Sequence, residues 1–308
     1  MLVLALACAS AAQLPPAPAS SEAQRAAARR FWQVYAEATQ ARVARSPETA
    51  VALYQEAVRI NPGHEDALYY LGSALFETGR FAQAEDAWRR LVAANPASAR
   101  AHLQLGMLYS CAVPGAPLDL DRAAAECERA MALNREETGA AARLGEVEVL
   151  RGEHPRALEL LSGVARSNPR SIQARYLLGY LHWKAGRQAQ SEAALDQAVA
   201  LARTPATPQP QPGAAQATPP AGEGDTRKGA PLLGGPAPSA GPLAAAWGAL
   251  AERPGARLDA GAEYGRLDED VQRLRRRAEA SRGDTPDTVA VPMGGGARAP
   301  QRGSGGGP

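Results

Sequence analysis

The residues best suited to catalysis or metal binding are four histidines and three cysteines, and their spacing gives them little chemistry. His64, His102, His154 and His182 each stand alone. None has a second histidine three or four positions on, so no helix face offers the paired imidazoles that hold zinc. His64-Glu65 opens like a metalloprotease helix, but the second histidine is missing. There is no Cys-x-x-Cys, no glycine-rich phosphate loop and no Gly-x-Ser-x-Gly. Acidic residues are spread at ordinary density. Glu77 and Glu146, the acidic candidates for a groove, lie two repeats apart and make no catalytic pair. No catalytic, cofactor-binding or metal-binding residue is assigned, and the expected role is non-enzymatic.

Composition removes further classes. The 308 residues carry 34 basic and 32 acidic side chains, a net charge of +2, without the basic excess of a nucleic-acid binder. Three cysteines exclude a disulfide-dense scaffold, and no run reaches 18 apolar residues. Hydrophobic residues at 45% permit a core, while 30 glycines and 25 prolines point to disordered stretches beside it.

The elements that must position any site follow from an internal period. Leu71-Gly72, Leu105-Gly106, Leu144-Gly145 and Leu178-Gly179 place their glycines 34, 39 and 34 residues apart. Gly79, Gly152 and Gly186 each lie seven residues after one of those pairs. Asn61-Pro62, Asn95-Pro96 and Asn168-Pro169 repeat the same spacing, so three markers agree on one period with one five-residue insertion. Within a period, Ala67, Leu68, Leu71, Ala74 and Leu75 recur at helical spacing. Gly79 supplies a turn. Phe81, Ala84, Trp88 and Leu91 then mark a second amphipathic helix, which Asn95-Pro96 ends. Gly72 and Ala84 let the two helices approach, with Leu71, Leu75 and Trp88 filling the space around them.

On these residues the chain resembles the tetratricopeptide repeat, a 34-residue helix-turn-helix unit. The second repeat carries Leu71, Gly72, Ala84, Trp88 and Pro96. The third carries Leu105, Gly106, Tyr109, Ala123 and Ala130, with Arg135 where the family has proline. The fourth carries Leu144, Gly145, Ala157 and Pro169 without the aromatics. The fifth carries Leu178, Gly179, Leu195 and Ala198, with Ser191 for alanine. The first is clear in its second helix, Ala50, Tyr54, Ala57 and Pro62, and has Ala38 where the glycine belongs. The resemblance implies an all-α, right-handed superhelical solenoid of about five units over 22–203. The repeats fall at about 31–64, 65–98, 99–137, 138–171 and 172–203. The insertion, Ser110 to Asp121, reads as a tolerated surface loop.

The same resemblance implies a concave groove lined by the first helix of each unit. Its candidates are Tyr35, Tyr69, Phe76, Leu103, Met107, Tyr176, Tyr180 and Trp183, with Arg42, Arg100 and Lys184 adding positive charge. The positions that clamp a terminal carboxylate in some relatives hold Tyr69, Leu103, Ala142 and Tyr176, which does not support that clamp. An aromatic, methionine-containing groove suits a peptide or protein partner of unknown identity. Alternatively, some of these aromatics are covered by residues 14–30 or by the C-terminal helices. Cys111 and Cys127 lie in the two helices of the third repeat. An oxidising compartment could join them, whereas their offset along the helix axes favours two reduced, packed thiols.

The flanks differ from the repeats. Residues 1–21 resemble a bacterial lipoprotein leader and spacer, with Ala7-Cys8 at the point of lipidation. They lack the usual leading basic residue, and Leu6 and Ala5 fit the pattern less well. That reading makes Cys8 a lipidation site and places the chain in the cell envelope, touching a membrane only through its anchor. The alternative is a cytoplasmic scaffold, and a third reading is the regulatory subunit of an envelope enzyme. Residues 204–242 hold ten prolines and read as a linker. One or two helices follow over 243–282. Tyr264, Leu267, Val271, Leu274 and Ala278 form a two-heptad seam that caps the superhelix, pairs with another chain or stays marginal. Residues 283–308, with eight glycines, read as a disordered tail.

Overall fold

The computed structural model describes residues 22–134, 138–204, 241–248, 250 and 258–283. The described residues form twelve helices and no strand. In order these are α1 (Glu22–Val43), α2 (Pro47–Ile60), α3 (Glu65–Glu77), α4 (Phe81–Ala94), α5 (Ala99–Tyr109), α6 (Leu120–Leu133), α7 (Thr138–Arg151), α8 (His154–Ser167), α9 (Ile172–Lys184), α10 (Gln188–Arg203), α11 (Ala244–Gly248) and α12 (Ala260–Gly283). The first ten pack as five consecutive pairs, each pair resting on the next. This is the expected all-α solenoid. The leader with Cys8, Arg135, most of the proline-rich linker and the glycine-rich tail lie outside the described residues.

Three of the five pairs close on a glycine. A Cβ at Gly72 would sit 2.3 Å from Nε1 of Trp88, one at Gly106 2.6 Å from Sγ of Cys127, and one at Gly145 2.7 Å from Leu161. A side chain from the second helix therefore occupies the space a larger residue would need. Trp88 is locked there, because its Nε1 donates to the Tyr69 carbonyl at 3.2 Å. Around these contacts Leu68, Leu75, Leu91, Leu108, Leu144 and Leu150 are fully buried. Each contributes about 1.5–3 kcal/mol.

The helix ends have equally local causes. Ser98 and Ser171 accept from Ala101 and Ala174 at the starts of α5 and α9, and Asp119 accepts from the amides of Asp121 and Arg122 at the start of α6. Gly79, Gly152 and Gly186 turn the chain between paired helices with φ of 73°, 83° and 70°. In each case the following residue bonds back to a carbonyl five positions earlier, as with Arg80 to Leu75 at 2.8 Å. In the first pair Arg45 does this work with φ of 56°, the left-handed region that disfavours a side chain.

Two sequence readings change. The first helix was expected from residue 31 but starts at Glu22, and its added residues, 22–30, are exposed. Alanine and arginine sustain that helix without a core to pack on. The insertion of the third repeat is also more than a tolerated surface loop. The carbonyls of Ala112 and Val113 accept hydrogen bonds from Arg277 of α12, so the loop is a docking point for the C-terminal helix.

Arg45 yields a direct test. A left-handed non-glycine residue costs on the order of 1–3 kcal/mol, and glycine's extra chain entropy returns roughly 0.5–1 kcal/mol of that. Arg45→Gly is expected to stabilise the chain by about 1 kcal/mol, measured as an upward shift of the urea midpoint.

Candidate functional site

The face formed by the first helices of the repeats divides into two unlike halves. Over α1 and α3 it carries a run of contacting rings, joined by Tyr54 of α2. Phe31, Trp32 and Tyr35 cluster with His64 at the start of α3, with ring centroids 4.6–5.5 Å from that imidazole. Tyr35 meets Tyr54 at 5.8 Å, and Tyr54 meets Tyr70 at 5.9 Å. The Arg42 guanidinium lies 4.5 Å over the Tyr70 ring. Its Nε is buried without a hydrogen-bond partner, and among the described residues no carboxylate reaches it as an ion pair. Glu77 lies within its field but not in contact. Arg100, by contrast, pairs with Asp66 and sits 4.9 Å over Tyr69.

Of the expected groove residues here, Tyr35, Leu103, Met107 and Arg100 are half-buried and offer surface. Tyr69 and Phe76 offer little, at 8% and 9% exposure. Phe76 belongs to the repeat's own packing, 5.3 Å from Phe81 and 6.0 Å from Trp88. The Tyr69 hydroxyl accepts from Nε2 of Gln104 at 2.9 Å. Sequence reasoning missed Trp32, 57% exposed on the same face, and Tyr70 beneath Arg42. Trp32 was legible as an aromatic in the first turn of the first repeat, close to Tyr35.

Over α7 and α9 the face is covered by the chain's own C-terminal helices. Tyr176 and Tyr180, expected in the groove, are 1% and 0% exposed. The Tyr176 hydroxyl donates to Oε1 of Glu263 at 2.8 Å, and the Tyr180 hydroxyl donates to Oδ1 of Asp268 at 2.7 Å. Lys184 Nζ reaches the same Asp268 oxygen at 3.0 Å. Tyr264 packs 5.4 Å from Tyr176 and 6.3 Å from Tyr180. Trp183 stacks on Tyr180 at 6.1 Å. These side chains read their own chain, which is the covering by C-terminal helices that the sequence left open. The seam of α12 is spent here too: Tyr264, Leu267, Val271 and Ala278 are buried against the solenoid, with Leu274 packed at its edge.

Glu146 anchors the returning chain. It is fully buried on α7 and accepts from Arg143 at 2.9 Å, from Gln173 at 3.1 Å and from the backbone N–H of Leu243 at 2.8 Å. Burial raises its carboxyl above the usual range, opposed by Arg143 and the Leu243 amide. Asp268 ends below its usual range: burial pushes it up, but hydrogen bonds from Tyr180 and Lys184 outweigh that. The available signal for this covered half is that residues 143–150 of α7 are all buried. Leu144, Val147, Val149 and Leu150 follow no single helix face, the mark of a helix packed on more than one side.

The thiols of Cys111 and Cys127 are free. Burial pushes Cys127 up to about 12 and raises Cys111 as well, so neither is a ready thiolate. Among the described residues no group of three or more His, Cys, Asp or Glu could hold a metal ion, and no helix is long and apolar enough to cross a membrane.

Removing one partner of a buried pair strands the other, at about 3–5 kcal/mol. Glu146→Ala is expected to destabilise the chain by about 3 kcal/mol in urea and to raise amide exchange at Leu243 and along α12. Glu146→Gln, which keeps an acceptor oxygen, should lose less.

Models of the tetratricopeptide repeat match residues 44–108 and 144–208. The stretch between them holds the inserted loop, α6 and the first turns of α7, and α6 pairs with α5 as in the other repeats. No curated protein matches the chain. Among solved structures, MamA from Desulfovibrio magneticus RS-1 (residues 41 to the end) is 16% identical and superposes with a TM-score of 0.52, covering 57% of this chain and 97% of that one. A double mutant of MamA from RS-1 is 17% identical with a TM-score of 0.51, covering 56% and 94%. At these identities the likeness is one of fold. With its period, its glycine-closed pairs and these two matches, the chain is a tetratricopeptide repeat protein.

Proposed function

We propose that this chain is a non-enzymatic interaction scaffold whose first-helix face over the first three repeats binds a segment of a protein or peptide partner. One observation carries the reading. The surface of α1, α3 and α5, lined with rings over α1 and α3, has no described helix packed extensively across it, whereas the same surface over α7 and α9 is filled. In a tetratricopeptide solenoid that face curves inward and presents side chains from successive repeats to an elongated ligand. Tyr35, Leu103 and Met107 supply apolar contact. Arg42, held over Tyr70 and lacking an acidic neighbour in contact, supplies a cation for a carboxylate on the ligand. The ligand favoured by this chemistry is a segment with an acidic residue next to apolar ones.

We place the scaffold in the cell envelope, held to a membrane by acylation at Cys8. This part of the reading is supported by the Ala7-Cys8 pattern and the proline-alanine-serine spacer after it. Intact mass and detergent partitioning of the protein from its host test it. A product starting at Cys8 with added acyl mass is expected, and a soluble chain retaining Met1 would instead make this a cytoplasmic scaffold.

A photo-crosslinking side chain at Met107 tests the binding face, with one at Arg90, exposed on α4, as the control. In the native host Met107 is expected to give discrete adducts that Arg90 does not. Arg42→Glu should lower their yield at least fivefold without changing the protein's helicity. Equal adduct patterns at the two positions would refute the assignment.

A further inference from the structure

The covered half of the face shows how it selects its occupant. α12 presents Glu263 and Asp268 five residues apart, with Tyr264 and Leu267 between them. Three groups on α9 read the two carboxylates: Tyr176 takes Glu263, while Tyr180 and Lys184 take Asp268. Tyr264 enters a slot made by the absence of a side chain at Gly179, where a Cβ would lie 1.9 Å from its hydroxyl. At the far end, Arg277 holds the carbonyls of Ala112 and Val113.

These contacts are costly for a mere cap. Glu263 is 3% exposed, so its charge is largely desolvated. The Tyr264 hydroxyl is buried with no hydrogen-bond partner. Apolar side chains alone would cover the helices at less expense. Buried, paired charges instead discriminate between candidate ligands, and discrimination has a use only where more than one helix competes. The connection permits exchange as well. Residues 205–240 lie between α10 and the docked segment and include nine prolines, and the paired helices of the solenoid pack directly on one another.

We propose that the surface of the fourth and fifth repeats is a binding site for an amphipathic helix carrying two carboxylates five residues apart around an aromatic residue, and that α12 is its resident occupant, displaced when a partner helix of that pattern takes its place. This site is separate from the open half and stands or falls independently of what that half binds. Because α12 is tethered, it competes at a high effective concentration, so a helix supplied in trans binds the intact chain weakly.

The test uses the full-length chain and a fluorescein-labelled peptide of residues 258–283, followed by anisotropy. Three chains are compared: the wild type, Glu263→Ala/Asp268→Ala to loosen the resident helix, and that variant with Tyr180→Phe/Lys184→Ala added. The loosened chain is expected to bind the peptide at least tenfold more tightly than the wild type. The added groove substitutions should remove at least tenfold of that affinity, and a peptide with Glu263→Lys and Asp268→Lys should not bind. Hydrogen exchange across α7 to α10 is read on the same samples. A loosened chain that keeps its exchange protection yet binds no better than wild type overturns the proposal. So does loss of protection throughout α9 and α10, which would make α12 a fixed part of the solenoid.

Discussion

Two helices can approach only as closely as the smallest residue between them allows, and this structure is organised around that limit. At Gly72, Gly106 and Gly145 the missing side chain admits Trp88, Cys127 and Leu161 from the facing helix. Repeating that contact at nearly constant spacing sets the pairing and lines up the first helices. It also determines which side chains share the face they form. At Gly179 the same vacancy admits Tyr264 of α12. The device that closes a repeat internally thus becomes, in the last repeat, a socket for a helix from elsewhere in the chain.

That change divides the molecule functionally. On the open side Trp32 is exposed, Tyr35 is half-buried, and the half-buried Arg42 has no acidic contact among the described residues. On the covered side, the same kinds of residue are satisfied by the chain's own carboxylates. Lys184 has Asp268, whereas Arg42 lies over the face of Tyr70 with no carboxylate in contact among the described residues. On the covered side the contacts are specific: hydroxyls and a cation of α9 take the carboxylates of α12, and apolar side chains fill the spaces between. The inserted loop of the third repeat lies at the boundary, lending its carbonyls to Arg277.

Much of the fold was legible because most of its repeats use glycine and proline where few other residues serve. Glycine at positive φ and proline after a helix leave marks that composition does not obscure, and Gly79, Gly152 and Gly186 turn the chain where their spacing places them. The start of α1 was not legible, since a run of alanine and arginine continues a helix with no core stripe to bound it. The covered half was legible only in part. The spacing of Tyr264, Leu267 and Val271 marks a seam, but a seam identifies a buried face and not what buries it. Glu146 was legible as an acidic residue of the groove face, but its burial was not, because one of its donors, the Leu243 amide, comes from 97 residues away. Tyr69 and Phe76 were placed on the correct helix, yet the rings and side chains around them bury both.

The central claim is that α12 rests on α7 and α9 and leaves α1, α3 and α5 open. The most direct measurement is a pulsed electron-resonance distance between spin labels at Glu269 on α12 and Arg129 on α6, both exposed. A single narrow distribution is predicted for the wild-type chain, matching the docked geometry. A broad distribution extending to long distances would contradict the account, because the C-terminal helix would then not be seated on the repeats and the two halves of the face would be alike.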